Sequence, residues 1–587
     1  MDATPPAASP FLAHFTALYG ESAAASLDRD LHALLAKWRP SLSPAQSNPR
    51  SALTERDALL ITYADQVQAP DANPLATLSH FANRHLRDVV SGVHLLPFYP
   101  WSSDDGFSVK DYYAVDPAFG TWDDIARLGT SFDLMFDAVF NHLSAQGEWF
   151  QRFIAGDPAF RDFFVTVEGN PDLSQVIRPR ALPLLTEFAT ADGPRKVWTT
   201  FSADQVDLNV RNPAVLLALV DVLLFYLSQG ATFIRLDAIA FLWKEIGTTC
   251  LHRPETHRAI QLLRAVLESV APSTRLVTET NVPHQDNLSY FGDGTNEAHL
   301  IYNFALPPLV LHTFATGDAR RLATWARSLS LPGDRVAFFN FLASHDGIGV
   351  NPARGILTDA EIDALLARTL AHGGFVSYKH LPDGSRAPYE MNINFFDALS
   401  DPASPEPPSL AIDRMRCAHA IQLALAGVPG IYFHSLFGSR GDRAGAEASG
   451  IPRRINRRKL TAAELERDLA DPASRPAQVF AALRQLLAAR GASPAFHPGG
   501  RQEVLEADSR AFVLLRTSID ETERLLCVHN ISADTVTLTL PLPPATHRNE
   551  ASWRDVLAPS LELTTASTPL ELTLPPFAVR WMRWRRG

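Results

Sequence analysis

Eight short apolar runs, most ending in polar or charged residues, punctuate the chain: DALLITYAD, VVSGVHLLPF, FDLMFDAVFNH, ATFIRLDAI, TRLVTETN, AHLIYNFA, VAFFNFLASHD and VPGIYFHSLFG. Their apolar residues are continuous rather than alternating, which is what a strand buried on both faces requires, as in a parallel sheet covered by helices. The intervening stretches are long enough for a helix or an insertion. The pattern predicts an α/β fold, a (β/α)8 TIM barrel spanning residues 59–490. Two connections exceed a simple crossover, 145–205 after the third strand and 350–410 after the seventh. Segments of that length are usually functional, and both are expected as inserted subdomains over the barrel mouth.

The flanks read differently. Residues 1–58 carry helical periodicity in FLAHFTALYG and LDRDLHALLAKW, broken by SLSPAQSNPR, which predicts an N-terminal helical extension and a linker. Beyond about 495 the text alternates with period two, in ADTVTLTLPLPP and PLELTLPPFAVRWMRW, so 495–587 is expected as a C-terminal antiparallel β domain. No internal repeat of solenoid type is visible.

Composition narrows the classes. At 587 residues the chain exceeds one small domain, and 46% hydrophobic with 20% charged residues is ordinary for a soluble protein. No apolar run approaches the ~20 residues that span a bilayer. The start, MDATPPAASPFLAHF, has no positive leader, so the expected compartment is the cytoplasm, with no membrane partner. A net charge of -11 disfavours phosphate-backbone binding, hence no nucleic-acid partner. Cys250, Cys417 and Cys527 are odd in number and widely spaced, which suits neither a disulfide framework nor a zinc site, and no metal is expected. No glycine-rich dinucleotide loop follows a strand, so no cofactor is expected either. Oligomeric state leaves no sign in the sequence.

In such a barrel the side chains just past the strand C-termini converge on one mouth. Here they are Asp65, Asn141, His142, Asp237, Glu279, His345 and Asp346, a set rich in carboxylates. Retaining cleavage of a glycosidic bond needs two carboxyl groups flanking the anomeric carbon, one a nucleophile and one an acid that then acts as base. Asp237 and Glu279, ending the fourth and fifth strands, are neighbours in a barrel. Arg235, two residues before Asp237, shares its strand face and would keep it ionised. Glu279 must start protonated, which desolvation beside other carboxylates favours. Asp346 is placed to strengthen hydroxyl contacts as positive charge develops.

These residues resemble the alpha-amylase superfamily: DAVFNH, with Asp137 and His142, is similar to its first conserved region, FIRLDAI to the second, VTETN to the third and FLASHD to the fourth. The resemblance implies Asp237 as nucleophile, Glu279 as acid/base, Asp346 as transition-state stabiliser, and His142, Arg235 and His345 as binders of the glucosyl unit. HLLPFYPWSSDDGFSVKDY, IRPRALPLL, VWTTFSADQVDLN, LDAIAFLWKEIGT, YNFALPPLVLH, ASHDGIGVNPARG and RRINRRK resemble the sucrose phosphorylase group over nearly the whole chain. By that resemblance Asp104 and Phe107 frame the glucose pocket, Phe201 stacks on a sugar face with Gln205 nearby, and Arg180 and Tyr389 contact phosphate.

The same group carries glutamine after the tyrosine where this chain has Glu390, which replaces an amide donor by an acceptor-only carboxylate. The PYE motif, HDGIGVNPARG, the long N-terminal extension and PWSSDDGF look most like glucosylglycerate phosphorylases. The implied partners are a small-molecule glucoside, 2-O-(α-D-glucosyl)-D-glycerate, and inorganic phosphate. Sucrose phosphorylase and glucosylglycerol phosphorylase are the alternatives, with an α-glucosidase or transglucosidase lacking a phosphate pocket as the different class. An anionic acceptor would want cations, for which Arg178, Arg354 and Arg386 are candidates, and Glu390 is open between holding hydroxyls and orienting an arginine.

Overall fold

A computed structural model describes residues 9–42, 53–179, 183–380, 385–540, 551–565 and 570–585. Eight parallel strands close into a barrel: β1 Leu59–Thr62, β2 Gly92–Leu95, β3 Asp133–Ala138, β4 Ala231–Leu236, β5 Arg275–Thr278, β6 Leu300–Tyr302, β7 Ala337–Phe341 and β8 Val428–Tyr432. Each lies in one of the eight apolar runs. β1, β2, β7 and β8 are buried along their whole length, as strands enclosed by side chains within and helices without must be. β1 pairs with both β2 and β8, which closes the cylinder and leaves no edge strand in it.

The surrounding helices are punctuated by their own sequence. Asn73 caps the helix Pro74–His85 by accepting from the Ala76 amide at 2.7 Å, and Asn212 caps Pro213–Ser228 through the Ala214 amide at 3.0 Å. In both, proline follows at the first helical position, where its missing N–H costs nothing. Pro213–Ser228 is apolar on most of its surface, because a second helical layer covers it. That layer is the N-terminal pair α1 (Leu12–Tyr19) and α2 (Glu21–Trp38). Its ties to the barrel are polar as well: Trp38 Nε1 and Lys37 Nζ donate to Asp221 at 2.8 and 2.9 Å, and the Tyr19 hydroxyl donates to the Val210 carbonyl at 2.7 Å.

Two stretches of chain build the walls above the mouth. After β3, strand His142–Ser144 pairs antiparallel with Gln205–Asp207, and a small sheet of Thr166–Val167, Gly193–Trp198 and Leu185–Thr190 lies between them in sequence. After β7, Arg386–Asn392 pairs with Phe375–His380 and with Ile348–Gly349. Following the helix Arg475–Gly491, antiparallel sheets take over. Strands 536–540 and 570–574 show the alternation their sequence requires, with every second residue buried in a core that includes Val513, Leu526, Leu538, Leu572 and Met582.

Candidate active site

Strand register does the first part of the assembly. β3 and β4 pair with Asp137 opposite Arg235, and β4 and β5 pair with Leu236 opposite Thr278. The next residues are Asp237 and Glu279, so the ladder delivers both carboxylates to one height at the C-terminal mouth. Arg235, fully buried, donates from Nη1 to Asp237 Oδ1 at 2.8 Å and to Asp137, and its Nη2 stands 3.9 Å from Glu279 Oε1. Asp137 is itself held by His94 Nε2 at 2.7 Å. The Ala238 amide donates to Glu279 Oε2 at 3.0 Å, and to reach it Ala238 adopts left-handed backbone, φ 49°. An L-residue there costs about 1 kcal/mol or more, strain of the kind that clusters at functional sites.

Burial raises the carboxyl pKa values of both Asp237 and Glu279, and Arg235 opposes it for both. The guanidinium touches Asp237 and stands farther from Glu279. Repulsion from Glu279 raises Asp237 further, and Asp346 raises both. Such a pair of adjoining buried carboxyl groups titrates as a unit.

Asp346 follows β7. Burial alone would raise its pKa, but Arg453 first, then His345 and Arg457, bring it far below the usual carboxylate range. Arg453 Nη1 lies 2.6 Å from Asp346 Oδ1, while its Nε and Nη2 donate to the two oxygens of Glu390 at 3.0 Å each. Glu390 also accepts from the Gly347 amide. A Cβ at Gly347 would lie 2.4 Å from Glu390 Cγ, so glycine is needed for the carboxylate to dock.

The pocket is lined by Asp104, Phe107, His142, Phe201, Gln205, Asp237, Glu279, His345, Asp346 and Tyr389, with Ala238, Ala240, Phe241, Thr280, Asn281 and Arg453. Phe107 stacks on His345, ring centres 4.7 Å apart. Phe201 lies 5.1 Å from the His142 ring and 5.6 Å from Phe241. Gln205 Nε2 donates to Asp104 Oδ2 at 3.4 Å and approaches His142 Nε2 at 3.2 Å, an encounter set up by the pairing of their two strands. Burial brings His142 down to about 4 and His345 down to about 3, so both are neutral near pH 7 and act as hydrogen-bonding groups rather than cations.

Asp104, Phe107, His142, Phe201, Gln205, Asp237, Glu279, His345, Asp346 and Tyr389, all singled out from sequence, thus line one pocket, and Arg235 lies against Asp237. Asp65 and Asn141, expected at the same mouth, are not among the lining residues: Asp65 accepts from Lys459 at 2.6 Å and Asn141 from Lys244 at 2.5 Å. Glu390 sits behind the wall, orienting Arg453, which is one of the two roles open for it. Arg180 falls outside the described residues. Arg178, Arg354 and Arg386 are not among the lining residues; Arg354 approaches Asp359 at 3.3 Å and Arg386 stacks over Tyr378. Among the described residues the cation on the wall is Arg453, which sequence reasoning missed. Its only signal was the RRINRRK stretch, and spacing cannot show that a loop after β8 returns over β7. Asn281 also lines the pocket, from the loop after β5, where strand alternation no longer applies. Among the described residues no group of three histidine, cysteine or acidic side chains could hold a metal ion, and no helix is long and apolar enough to cross a membrane.

A closed parallel barrel whose mouth gathers buried carboxylates held by guanidinium groups, with aromatic side chains on the pocket wall, has the make-up of a carbohydrate-active barrel enzyme. Residues 86–345 match the model of the alpha-amylase catalytic domain. A glucosylglycerate phosphorylase from Allomeiothermus silvanus is 55% identical, over 86% of this chain and 89% of its own. A sucrose phosphorylase from Agrobacterium vitis is 31% identical, over 78% of this chain and 91% of its own. Among solved structures, a sucrose 6F-phosphate phosphorylase from Thermoanaerobacter thermosaccharolyticum superposes with a TM-score of 0.73 at 24% identity, covering 91% of this chain and 100% of that one, which speaks to the fold. The chain belongs to the alpha-amylase superfamily and, within it, to the family of these glycoside phosphorylases.

Proposed function

We propose that the chain is a retaining glycoside phosphorylase that converts glucosylglycerate and inorganic phosphate to α-glucose 1-phosphate and D-glycerate. The observation that carries the chemistry is the unequal hold of Arg235 on two adjacent carboxylates: 2.8 Å to Asp237, 3.9 Å to Glu279. It supports an ionised nucleophile beside a protonated acid. The 55% identity to a glucosylglycerate phosphorylase supports the substrate.

Asp237 attacks the anomeric carbon on the face away from glycerate; the glycosidic C–O bond breaks and Glu279 gives its proton to the leaving oxygen. A phosphate oxygen then attacks the glucosyl ester on Asp237 from the vacated face, and ionised Glu279 takes up the proton that phosphate gives up. Two inversions retain the α configuration and restore both carboxyl groups. Asp346, ionised throughout, bonds a hydroxyl next to the reacting carbon, where the interaction strengthens as oxocarbenium charge develops. Neutral His142 and His345, with Asp104 and Gln205, hold the other hydroxyls, and Phe107 and Phe201 cover the ring faces. Tyr389, with Arg180 by family resemblance, receives phosphate. The protein works in the cytoplasm, where phosphate is supplied.

The test is release of glucose 1-phosphate from glucosylglycerate, sucrose and glucosylglycerol, each with and without phosphate. Phosphate-dependent release with glucosylglycerate preferred is expected. A clear preference for sucrose or glucosylglycerol overturns the substrate, and sugar release indifferent to phosphate overturns phosphorolysis in favour of hydrolysis or transglucosylation.

A further inference from the structure

Asp105 stands beside the pocket and takes no part in the chemistry above. It lies in the loop after β2, next to Asp104, and both hold left-handed backbone, at φ 49° and 54°. Gly106 completes the turn at φ 111°, where a Cβ would come within 2.5 Å of the Pro97 carbonyl oxygen. Glycine is at ease in such backbone, and a segment that had only to turn would do better with it at 105 than with aspartate.

What the carboxylate does there is reach the loop after β8. Arg457 Nη1 donates to Oδ2 at 2.8 Å and Arg454 Nη2 donates to Oδ1 at 2.9 Å. Burial would raise the Asp105 pKa, and the two guanidinium groups more than reverse it, bringing it to about 2. Arg457 is itself buried, with Nε donating to the His345 carbonyl at 2.8 Å. Its Nη2 finds no hydrogen-bond partner and lies 3.8 Å from Asp346 Oδ1. A buried, unsatisfied guanidinium donor is costly unless something arrives to meet it, and its aim depends on the one carboxylate that holds Nη1.

We propose that Asp105 is a positioning residue: it clamps the β2 loop to the β8 loop, and thereby sets Arg457 beside Asp346 and holds Asp104 at the pocket wall. The left-handed backbone is the shape that lets a side chain at 105 point across to the arginines while its neighbour at 104 faces the pocket. The clamp joins loops nearly 350 residues apart in sequence, the separation between Asp105 and Arg454 being 349. It rests on the reading that glucosyl transfer occurs in this pocket.

The experiment compares Asp105→Gly, Asp105→Asn, Arg454→Ala and Asp105→Gly with Arg454→Ala on two donors. One is glucosylglycerate with phosphate; the other is α-glucosyl fluoride, which requires only the glucosyl pocket and the nucleophile. Asp105→Gly keeps the turn and removes the clamp, so kcat/KM is expected to fall by about tenfold or more on both donors, expressed per correctly folded molecule from melting curves. Asp105→Asn, which tolerates left-handed backbone but lacks the charge, should fall alongside it. The double variant should lose less than the product of its two single losses, because the partners share one interaction. Asp105→Gly within twofold of the parent on both donors overturns the inference, as do losses that multiply in the double variant. A parent active on the fluoride and inactive on glucosylglycerate counts against the substrate proposed above and leaves the comparison intact.

Discussion

Arg235 touches Asp237 and stops short of Glu279, and the two carboxyl groups should respond differently to loss of charge. Asp237→Asn replaces the nucleophile by an amide; turnover is expected to fall on the order of 10⁴-fold or more, with no glucosyl adduct in the intact-protein mass. Near-normal turnover would remove Asp237 from the mechanism. Glu279 has its pKa raised above the ordinary 4.5, first by burial and then by Asp346. The proton it donates is present below that raised value, so kcat/KM should decline as pH climbs through it, and Glu279→Gln should abolish that limb. Stability follows the same sign. The folded chain holds this proton more tightly than the unfolded one, so the contribution is complete below about 4.5 and is lost as pH rises through the folded value. Above that window Glu279→Gln should therefore melt higher than the parent while turning over far more slowly. Calorimetry beside a pH–rate profile checks both, and equal melting temperatures across the window would contradict the shift.

At the scale of the element, the ladder between Ile348–Gly349 and Arg386–Asn392 carries Glu390 under the pocket wall. Gly347, just before it, gives the docking space. Gly347→Ala puts a methyl group 2.4 Å from Glu390 Cγ, which must move and let go of Arg453. The expected cost is about 1–3 kcal/mol of stability, with a fall in kcat/KM of roughly tenfold or more as Arg453 loses its orientation. A melting shift without a change in kcat/KM would show that Glu390 does nothing for Arg453. The β3–β4–β5 ladder works on the same principle without a loop, since one register places Asp137, Arg235, Asp237 and Glu279 together. That is why Asp237 and Glu279 could be read from strand-end position and Arg235 from the alternation beside Asp237, while Asp137 entered only through the family resemblance and Arg453 and Asp105 had no such signal.

For the whole molecule, chemistry and cohesion are separated along the barrel axis. Two buried arginines bind the barrel's N-terminal end to the helix and sheet that follow it. Arg490 donates to the carbonyls of Asp57 at 3.2 Å and Gly427 at 3.0 Å, and Arg516 donates to those of Ala424 at 2.8 Å and His497 at 2.6 Å. Replacing either by methionine keeps much of the volume and strands several carbonyls, for an expected loss of about 2–4 kcal/mol. Because the pocket opens at the other end, kcat of the folded fraction should stay within about twofold. Chemical denaturation and assays well below the melting transition test the pair of claims together. A large drop in kcat at full foldedness would show that the two ends are coupled.

The chain's own text determined the barrel, because a strand buried on both faces must be apolar throughout, and eight such runs are separate and countable. It also brought Asp237, Glu279 and Asp346 to one mouth, because strand termini in a barrel have one place to go, although Asp65, read the same way, pairs with Lys459 and is not among the residues lining the pocket. The antiparallel tail was equally readable from its period of two. What only tertiary structure decided is how the loops meet: Arg453 between Asp346 and Glu390, and Asp105 against Arg454 and Arg457. Alternation and register constrain neighbours along and across strands. Loops arriving from residues near 105 and 455 obey no such period, and their contacts, like those of the strand that carries Glu390, exist only once the barrel has closed and brought its C-terminal ends to a single rim.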